Sequence, residues 1–110
     1  MDINEYIDQD DALSRVGGNA SLYKRLLGRF VEGNHIEELE SALQSGNMEE
    51  ASRHAHSIKG VSANLSLVKI RAVSIELEQL LKDGADYSAC LAELKQAFEI
   101  TTEEIAKIIN

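Results

Sequence analysis

The chain has 110 residues, of which 44% are hydrophobic and 27% charged, a balance typical of one small globular domain. We therefore predict a single domain over residues 1–110. The 19 acidic residues outnumber the 11 Lys and Arg and give a net charge of -8. This charge disfavours nucleic acid or direct contact with an anionic membrane. A protein partner with a local basic or metal-bearing site fits it better.

Cysteine usage and the first residues predict the compartment. Cys90 is the one cysteine, so neither an intramolecular disulfide nor a thiolate zinc cluster can form, and we interpret it as a small buried hydrophobe. The opening MDINEYIDQDD is acidic where a signal peptide is basic and then apolar. We expect a cytoplasmic module, and a membrane-anchored parent chain is compatible with that expectation.

The chain predicts helices throughout, because it has no proline and no alternating run of β-branched residues. N-terminal segments around four apolar positions are predicted to form a cover: Ile3, Ile7, Leu13 and Val16. Two short helices follow, with the stripes Leu22, Leu26, Leu27, Phe30 and then Ile36, Leu39, Leu43. A helix from Met48 to about Leu65 has the inward stripe Ala51, Ala55, Ile58, Ser62 and Leu65.

Two further apolar stripes complete the helical pattern. The first is Ile70, Val73, Leu77 and Leu80, and the second is Tyr87, Leu91, Leu94, Phe98, Thr101, Ile105 and Ile108. The breaks are GGN at 17–19, GN at 33–34 and 46–47, and DGAD at 83–86. In each GN pair we expect a left-handed Gly and an Asn cap, with capping boxes from Asn34 to Glu37 and from Asn47 to Glu50. The prediction is an all-α, antiparallel up-and-down four-helix bundle with short N-terminal covering helices.

The stretch ASRHAHSIKGVSANL, residues 51–65, contains two histidines whose directions can be predicted. At about 100° per residue, His56 lies roughly 150° from the middle of the inward stripe, so we expect it to point to solvent. His54 lies nearer the core edge and is interpreted as structural. Residues two apart on a helix diverge, so the two histidines are not a metal pair, and His35 is too distant in the chain to join them.

Small and basic residues surround the predicted position of His56. Lys59 and Gly60 lie one turn further along the same side, which is completed by Ser52, Arg53 and Ala63. An exposed glycine inside a helix costs about 0.5 to 1 kcal/mol relative to alanine, so we interpret Gly60 as clearance for an approaching protein.

These residues favour phosphoryl chemistry. A solvent-facing neutral imidazole is a nucleophile, and Lys59 can supply positive charge to a phosphoryl group. The chain has no GxxxxGK loop or other nucleotide cradle. If His56 is phosphorylated, the phosphoryl group comes from another protein, and we expect no autonomous kinase activity.

The segment HSIKGVSANL, residues 56–65, resembles the signature of the histidine-containing phosphotransfer (HPt) family: a His, a hydrophobic residue, Lys-Gly and small residues. The resemblance extends to ALSRVGGNASLYKRLLGRFVEGN at 12–34 and ELEQLL at 76–81. It implies that His56 is the phosphoacceptor, with Lys59 on the phosphate side and Gly60 giving clearance. The small polar positions that follow are Ser62 and Asn64.

The resemblance also implies partners and a fold. Family members are four-helix bundles that carry phosphate between aspartates of response-regulator receiver domains. The receiver supplies the acyl phosphate and the Mg2+, so we expect this chain to have no metal or cofactor of its own. We also expect the chain to be a monomer. A histidine kinase is a further partner, and a hybrid sensor kinase is one parent protein compatible with the chain. One departure is Ser66, where the family commonly has Gly, and we expect Ser66 to cap the helix starting near Leu67.

Three other classes compete with this interpretation. A dimeric histidine kinase core places an acidic residue directly after its histidine and a proline soon afterwards, whereas Ser57 follows His56 here and proline is absent. The phosphotransfer module of a chemotaxis kinase has a similar HSIKG, but GGNASLYKRLL favours the receiver-to-receiver type. A helical adaptor without phosphate chemistry would be indifferent to the loss of His56.

Overall fold

The computed structural model describes residues 5–110, and all regular structure in this range is helical. The helices are α1 Gln9–Arg15, α2 Ala20–Glu32, α3 His35–Gln44, α4 Met48–Asn64, α5 Val68–Asp83 and α6 Ser88–Ile109. The predicted all-α class is confirmed. Ile3, part of the predicted cover, lies outside the described residues. Within residues 5–110, no helix combines the length and the apolar character needed to cross a membrane.

The bundle has four sides. The long helices α4, α5 and α6 form three of them, and the shorter α2 and α3 share the fourth. α4 packs most extensively against α5 and also against α3, while α6 packs against α5 and α2. α2 starts at one end of α4, where the Tyr23 hydroxyl donates to the Leu65 carbonyl oxygen at 3.1 Å. α3 ends at Gln44, at the other end of α4, and three residues separate it from Met48, where α4 begins. α2 and α3 therefore follow one another along the fourth side, and together they run opposite to α4.

The core contains the predicted inward stripes. All five stripe residues of the α4 segment are buried: Ala51, Ala55, Ile58, Ser62 and Leu65. Ile7, a predicted cover residue, is fully buried, while Leu13 and Val16 pack partly buried against the core. Cys90 is buried as predicted, and burial raises the pKa of its thiol to about 11.

The break between α2 and α3 differs from its prediction. Gly33 has φ -74°, so it is not left-handed, and Asn34 makes no side-chain capping hydrogen bond. Gly33 instead provides space, because a Cβ there would lie 2.6 Å from Nε2 of His35. The His35 ring stacks on Phe30 with the ring centroids 4.9 Å apart. The chain continues along one side here rather than reversing.

The next break follows the prediction. Gly46 is left-handed with φ 75°. The Asn47 side chain caps α4, since its Oδ1 accepts from the Glu50 backbone N–H at 3.1 Å and its Nδ2 donates to Glu50 Oε2 at 3.1 Å. Gly84 ends α5 in the left-handed conformation, with φ 67°. These two glycines supply the positive φ that the sharp turns require.

Ser66 has a different role from the predicted helix cap. It is left-handed with φ 57°, and α5 begins after Leu67 without a side-chain cap. The Ser66 hydroxyl donates to Asp11 Oδ2 at 2.6 Å, and its carbonyl oxygen accepts from the Asp8 N–H at 3.0 Å. The hydroxyl therefore forms a hydrogen bond that connects α1 to the α4–α5 turn. That contact offsets a conformational cost of about 1 kcal/mol for a non-glycine residue.

The two functions of position 66 can be separated by substitution. Ser66→Ala keeps the left-handed strain and loses the hydrogen bond, so we expect a lower free energy of unfolding. Ser66→Gly loses the same hydrogen bond but removes the strain, so we expect its free energy of unfolding to fall clearly less than that of Ser66→Ala. Urea unfolding of both variants, repeated in an Asp11→Ala background, measures the difference. Equal losses in the two variants would contradict the assigned strain.

Candidate functional site

His56 points to solvent, as the helical pattern predicts. It lies in the middle of α4 on the side opposite the buried stripe, and 64% of its side chain is exposed. Its neighbours on this side of the helix differ in exposure. Ser52, Lys59 and Ala63 are half-buried, and Arg53 and Gly60 are exposed. The helix thus carries core packing on one side and an open imidazole on the other.

A buried carboxylate on α5 contacts this imidazole. Nδ1 of His56 lies 3.1 Å from Oε2 of Glu78, whose side chain is only 9% exposed. Lys59 Nζ lies 2.9 Å from Oε1 of the same carboxylate. Lys82 Nζ, one turn further along α5, lies 3.2 Å from Oε2. The histidine and two lysines therefore converge on one carboxylate between α4 and α5.

The cations determine the charge of Glu78. Burial by itself would raise the pKa of the carboxyl, but hydrogen bonds from Lys59 and Lys82 and the attraction of their charges outweigh it. The pKa of Glu78 is lowered from its ordinary 4.5 to about 2. The carboxylate is consequently ionised at neutral pH, where it can only accept hydrogen bonds.

The ionised carboxylate determines the tautomer of His56. Because Glu78 accepts, Nδ1 of His56 carries a proton in the contact between them. In the neutral imidazole the lone pair is then on Nε2, the nitrogen on the opposite side of the ring. The arrangement therefore offers a nucleophilic Nε2 on a largely exposed side chain.

Gly60 leaves open space beside the imidazole. A Cβ built at this position would have no neighbouring atom within 4 Å, and the residue is exposed. Packing against another helix of the described chain therefore does not explain a glycine here. A methyl group at position 60 would fit without a clash in this domain. Any advantage of having glycine there therefore concerns a molecule that approaches the site from outside.

The structure separates two of the other predicted positions from this site. Ser62 is fully buried, and its hydroxyl donates to the Ile58 carbonyl oxygen at 2.7 Å. It therefore does not share the exposed side with His56. Asn64 is exposed but stands at the C-terminal end of α4, more than two turns away.

The other histidines of the chain lie elsewhere. His54 faces α3, with Nδ1 3.7 Å from Glu38 Oε2 and Nε2 3.7 Å from Glu50 Oε1. A surface groove of about 720 Å³ lies on that side, and its lining includes Glu38, Glu50 and His54 but not His56. His35 stacks on Phe30. The prediction that His54 and His56 diverge is confirmed, and His54 contributes to the α3–α4 contact as expected for a structural residue.

Sequence reasoning missed Glu78 and Lys82. Glu78 directly follows the stripe residue Leu77, a position at the edge of the apolar face where an acid is costly unless paired. Lys82 lies four residues later, the spacing of a helical ion pair. These signals mark an edge carboxylate with a partner, but they do not identify His56 as its neighbour.

The lowered pKa of Glu78 predicts a pH dependence of stability. Between pH 4.5 and 2 the unfolded chain binds more protons at this carboxyl than the folded chain does. Its stabilising contribution is therefore fully present above pH 4.5 and is lost as the pH falls towards 2. We expect the difference in free energy of unfolding between parent and Glu78→Gln to be largest at neutral pH and to shrink in that range.

Urea unfolding at several pH values measures this difference. Glu76→Gln, at an exposed position of the same helix, is the matched control. A Glu78→Gln difference that stays constant from pH 7 to pH 3 would show that the charge of Glu78 does not contribute to stability.

Comparison with known proteins identifies one family. The family model described as "Hpt domain" matches residues 26–107, which include α3, α4, α5 and most of α2 and α6. Comparison with curated proteins gives no match, and comparison with solved structures gives none. The matched range contains His56, Glu78 and the two lysines that converge with His56 on the Glu78 carboxylate.

Proposed function

The chain belongs to the Hpt-domain family of histidine phosphotransfer modules in phosphorelays, and we propose that His56 is the residue that carries its phosphoryl group. The observation that supports this most directly is the exposed imidazole whose Nδ1 contacts the ionised, buried carboxylate of Glu78. That contact leaves the Nε2 lone pair available on the exposed side. Open space at Gly60 gives a partner access to it.

The proposed donor is an aspartyl phosphate of a receiver domain. Nε2 of His56 attacks the phosphorus, an N–P bond forms, and the O–P bond to the aspartate breaks. The bonding electrons leave with the aspartate carboxylate. Nδ1 keeps its proton throughout. The positive charge that develops on the ring is stabilised by the Glu78 carboxylate, which contacts Nδ1. The reverse sequence passes the phosphoryl group to a second receiver, without any proton transfer by His56.

Lys59 and Lys82 have a supporting role in this proposal. Both ammonium groups contact Glu78, and Lys82 is the more exposed of the two. When a phosphoryl group is present on Nε2, its oxygens compete with Glu78 for these cations. Mg2+ bound by the partner's receiver domain supplies further positive charge. This ion prefers hard oxygen ligands, so it can bind the phosphoryl oxygens. The chain then provides the acceptor, and the partner provides the phosphoryl donor with its metal.

The proposed acceptor predicts a specific labelling pattern. A phosphorylated receiver should transfer an acid-labile, base-stable label to the parent domain, and ³¹P–¹⁵N correlation should place the phosphorus on Nε2 of His56. His56→Gln should take up none, because the nucleophile is absent. His54→Gln, a histidine on the same helix that faces α3, should be labelled like the parent. Equal labelling of His56→Gln would exclude His56 as the acceptor.

Gly60 should affect stability and transfer in opposite directions. Gly60→Ala should raise the free energy of unfolding by about 0.5 to 1 kcal/mol, since an exposed helical glycine is replaced without a clash. Gly60→Gln should lower kcat/KM of transfer from a phosphorylated receiver by about tenfold or more. A displacement of about 1 Å at reacting atoms is enough for such a loss.

Gly28 provides the control for this experiment. It is also a helical glycine with no atom within 4 Å of a built Cβ, but it lies on α2. Gly28→Ala should stabilise the domain similarly and leave transfer unchanged. Normal transfer by Gly60→Gln would mean that no partner approaches closely at this position.

A further inference from the structure

A groove of about 370 Å³ is lined by residues of α3 and α6 and by the end of α2. It is formed by the last turn of α2, the first turn of α3 and the middle of α6. It shares no lining residue with the groove that contains His56. We name it the α3–α6 groove.

The apolar part of the groove is held in place by the core and is partly open to solvent. Val31 is 39% exposed, and Ile36 and Phe98 are half-buried and pack against core residues. The Phe98 ring belongs to a cluster with Phe30 and His35, in which the ring centroids lie 4.9 to 6.1 Å apart. A side chain that enters the groove therefore meets a fixed aromatic and aliphatic surface.

The charged lining of the groove is entirely acidic. Glu37 of α3 and Glu99 and Glu103 of α6 contribute carboxylates, and no Lys or Arg lines the groove. The other polar side chains in the lining are His35 and Thr102. Within residues 5–110, none of the three glutamates forms an ion pair. Their negative charge is therefore not compensated by this part of the chain.

The lysines that helical spacing offers to Glu99 and Glu103 contact other carboxylates. Lys95, four residues before Glu99, has its Nζ 3.2 Å from a glutamate of α3. Lys107, four residues after Glu103, has its Nζ 3.2 Å from Oε1 of Glu104. Glu99 and Glu103 are themselves four residues apart, a spacing at which like charges on a helix repel each other. A cation bound in the groove would relieve this repulsion.

These observations fit a cationic occupant with an apolar contact. The carboxylates repel nucleic acid and anionic membranes, and a two-fold dimer through the groove would bring the same carboxylates face to face. A basic protein segment has the complementary charge. Arginine suits the groove best, because its guanidinium can pair with a carboxylate and stack on an aromatic ring such as Phe98.

We propose that the α3–α6 groove is a docking site for a basic segment of a partner protein. Arginines of the segment pair with the three carboxylates, and a large apolar side chain packs against Val31 and Phe98. This inference does not depend on the proposed function of His56. Because the groove excludes His56, the partner stays bound while the imidazole is accessible, and such tethering raises the effective concentration of the two proteins.

A synthetic peptide of defined composition tests the groove on the full 110-residue chain. The probe is a helical peptide of about 14 residues, about 21 Å long, with leucines along one side and arginines flanking them. One control peptide replaces each arginine by glutamate, and a second replaces each leucine by serine. Amide ¹⁵N–¹H chemical shifts locate the bound peptide, and calorimetry in about 0.15 M salt gives its Kd.

Two double variants remove the same amount of charge at different places. The groove variant, Glu99→Gln/Glu103→Gln, removes two carboxylates from the α3–α6 groove. The control variant, Glu49→Gln/Glu76→Gln, removes two exposed carboxylates from α4 and α5. Val31→Ser removes an exposed apolar side chain from the groove without changing the charge.

We expect the shifts caused by the arginine–leucine peptide to centre on Val31 and Phe98 and to leave the amide of His56 unchanged. Kd should rise about fivefold or more in the groove variant, because two ion pairs are lost. It should rise about threefold in Val31→Ser, which loses apolar contact area. Kd should stay within about twofold of the parent in the control variant, and both control peptides should bind more weakly than the probe.

An equal loss in the control variant would show that binding follows net charge alone and would overturn the docking site. Shifts centred on His56, or no detectable binding of the probe, would overturn it as well. Sedimentation of the parent without peptide tests the remaining occupant. A dimer that is abolished in the groove variant would make a second copy of the chain the occupant in place of a basic partner. None of these outcomes changes the labelling that identifies His56 as the acceptor.

Discussion

The carboxylate of Glu78 is the charge on which the arrangement around His56 depends. An ionised group that is 9% exposed is strongly destabilising unless cations or hydrogen-bond donors surround it. Lys59, Lys82 and Nδ1 of His56 provide these contacts, two from α4 and one from α5 itself. The contacts of Lys59 and His56 with Glu78 therefore link the register of α4 and α5 to the position of the imidazole. The same contact orients the ring and leaves Nε2 as the available nitrogen.

α4 combines a packed side with an exposed side that carries His56. Its inward stripe is made of small and medium side chains, with Ala51, Ala55 and Ser62 fully buried, and this lets the helix lie close to its neighbours. Its outward side carries His56 and Gly60, which make little or no contribution to the core. Because the two sides are separate, the imidazole can stay accessible without a cavity or a moving lid. This separation suits a module that accepts a group from one protein and releases it to another.

Local rules succeeded where a short stretch determines its own conformation. The buried stripe of the α4 segment, the cap at Asn47 and the left-handed Gly46 follow from spacing and residue type. Local rules failed at Gly33, which is not left-handed and whose missing side chain leaves space for the His35 ring. They also failed at Ser66, whose hydroxyl bonds Asp11, 55 positions earlier in the chain. In both cases the residue has a packing neighbour or hydrogen-bond partner that turn propensity does not predict.

The sequence by itself determined that the chain is helical and that His56 points away from the core with Lys59 and Gly60 beside it. Those properties depend on the 3.6-residue period of a single helix, which acts over only a few residues. The tertiary structure alone decided which side chains meet the imidazole. Glu78 is 22 positions from His56, so their contact requires the α4–α5 register, and no local pattern encodes that register. The proton on Nδ1 follows from this contact, because an ionised carboxylate can only accept a hydrogen bond.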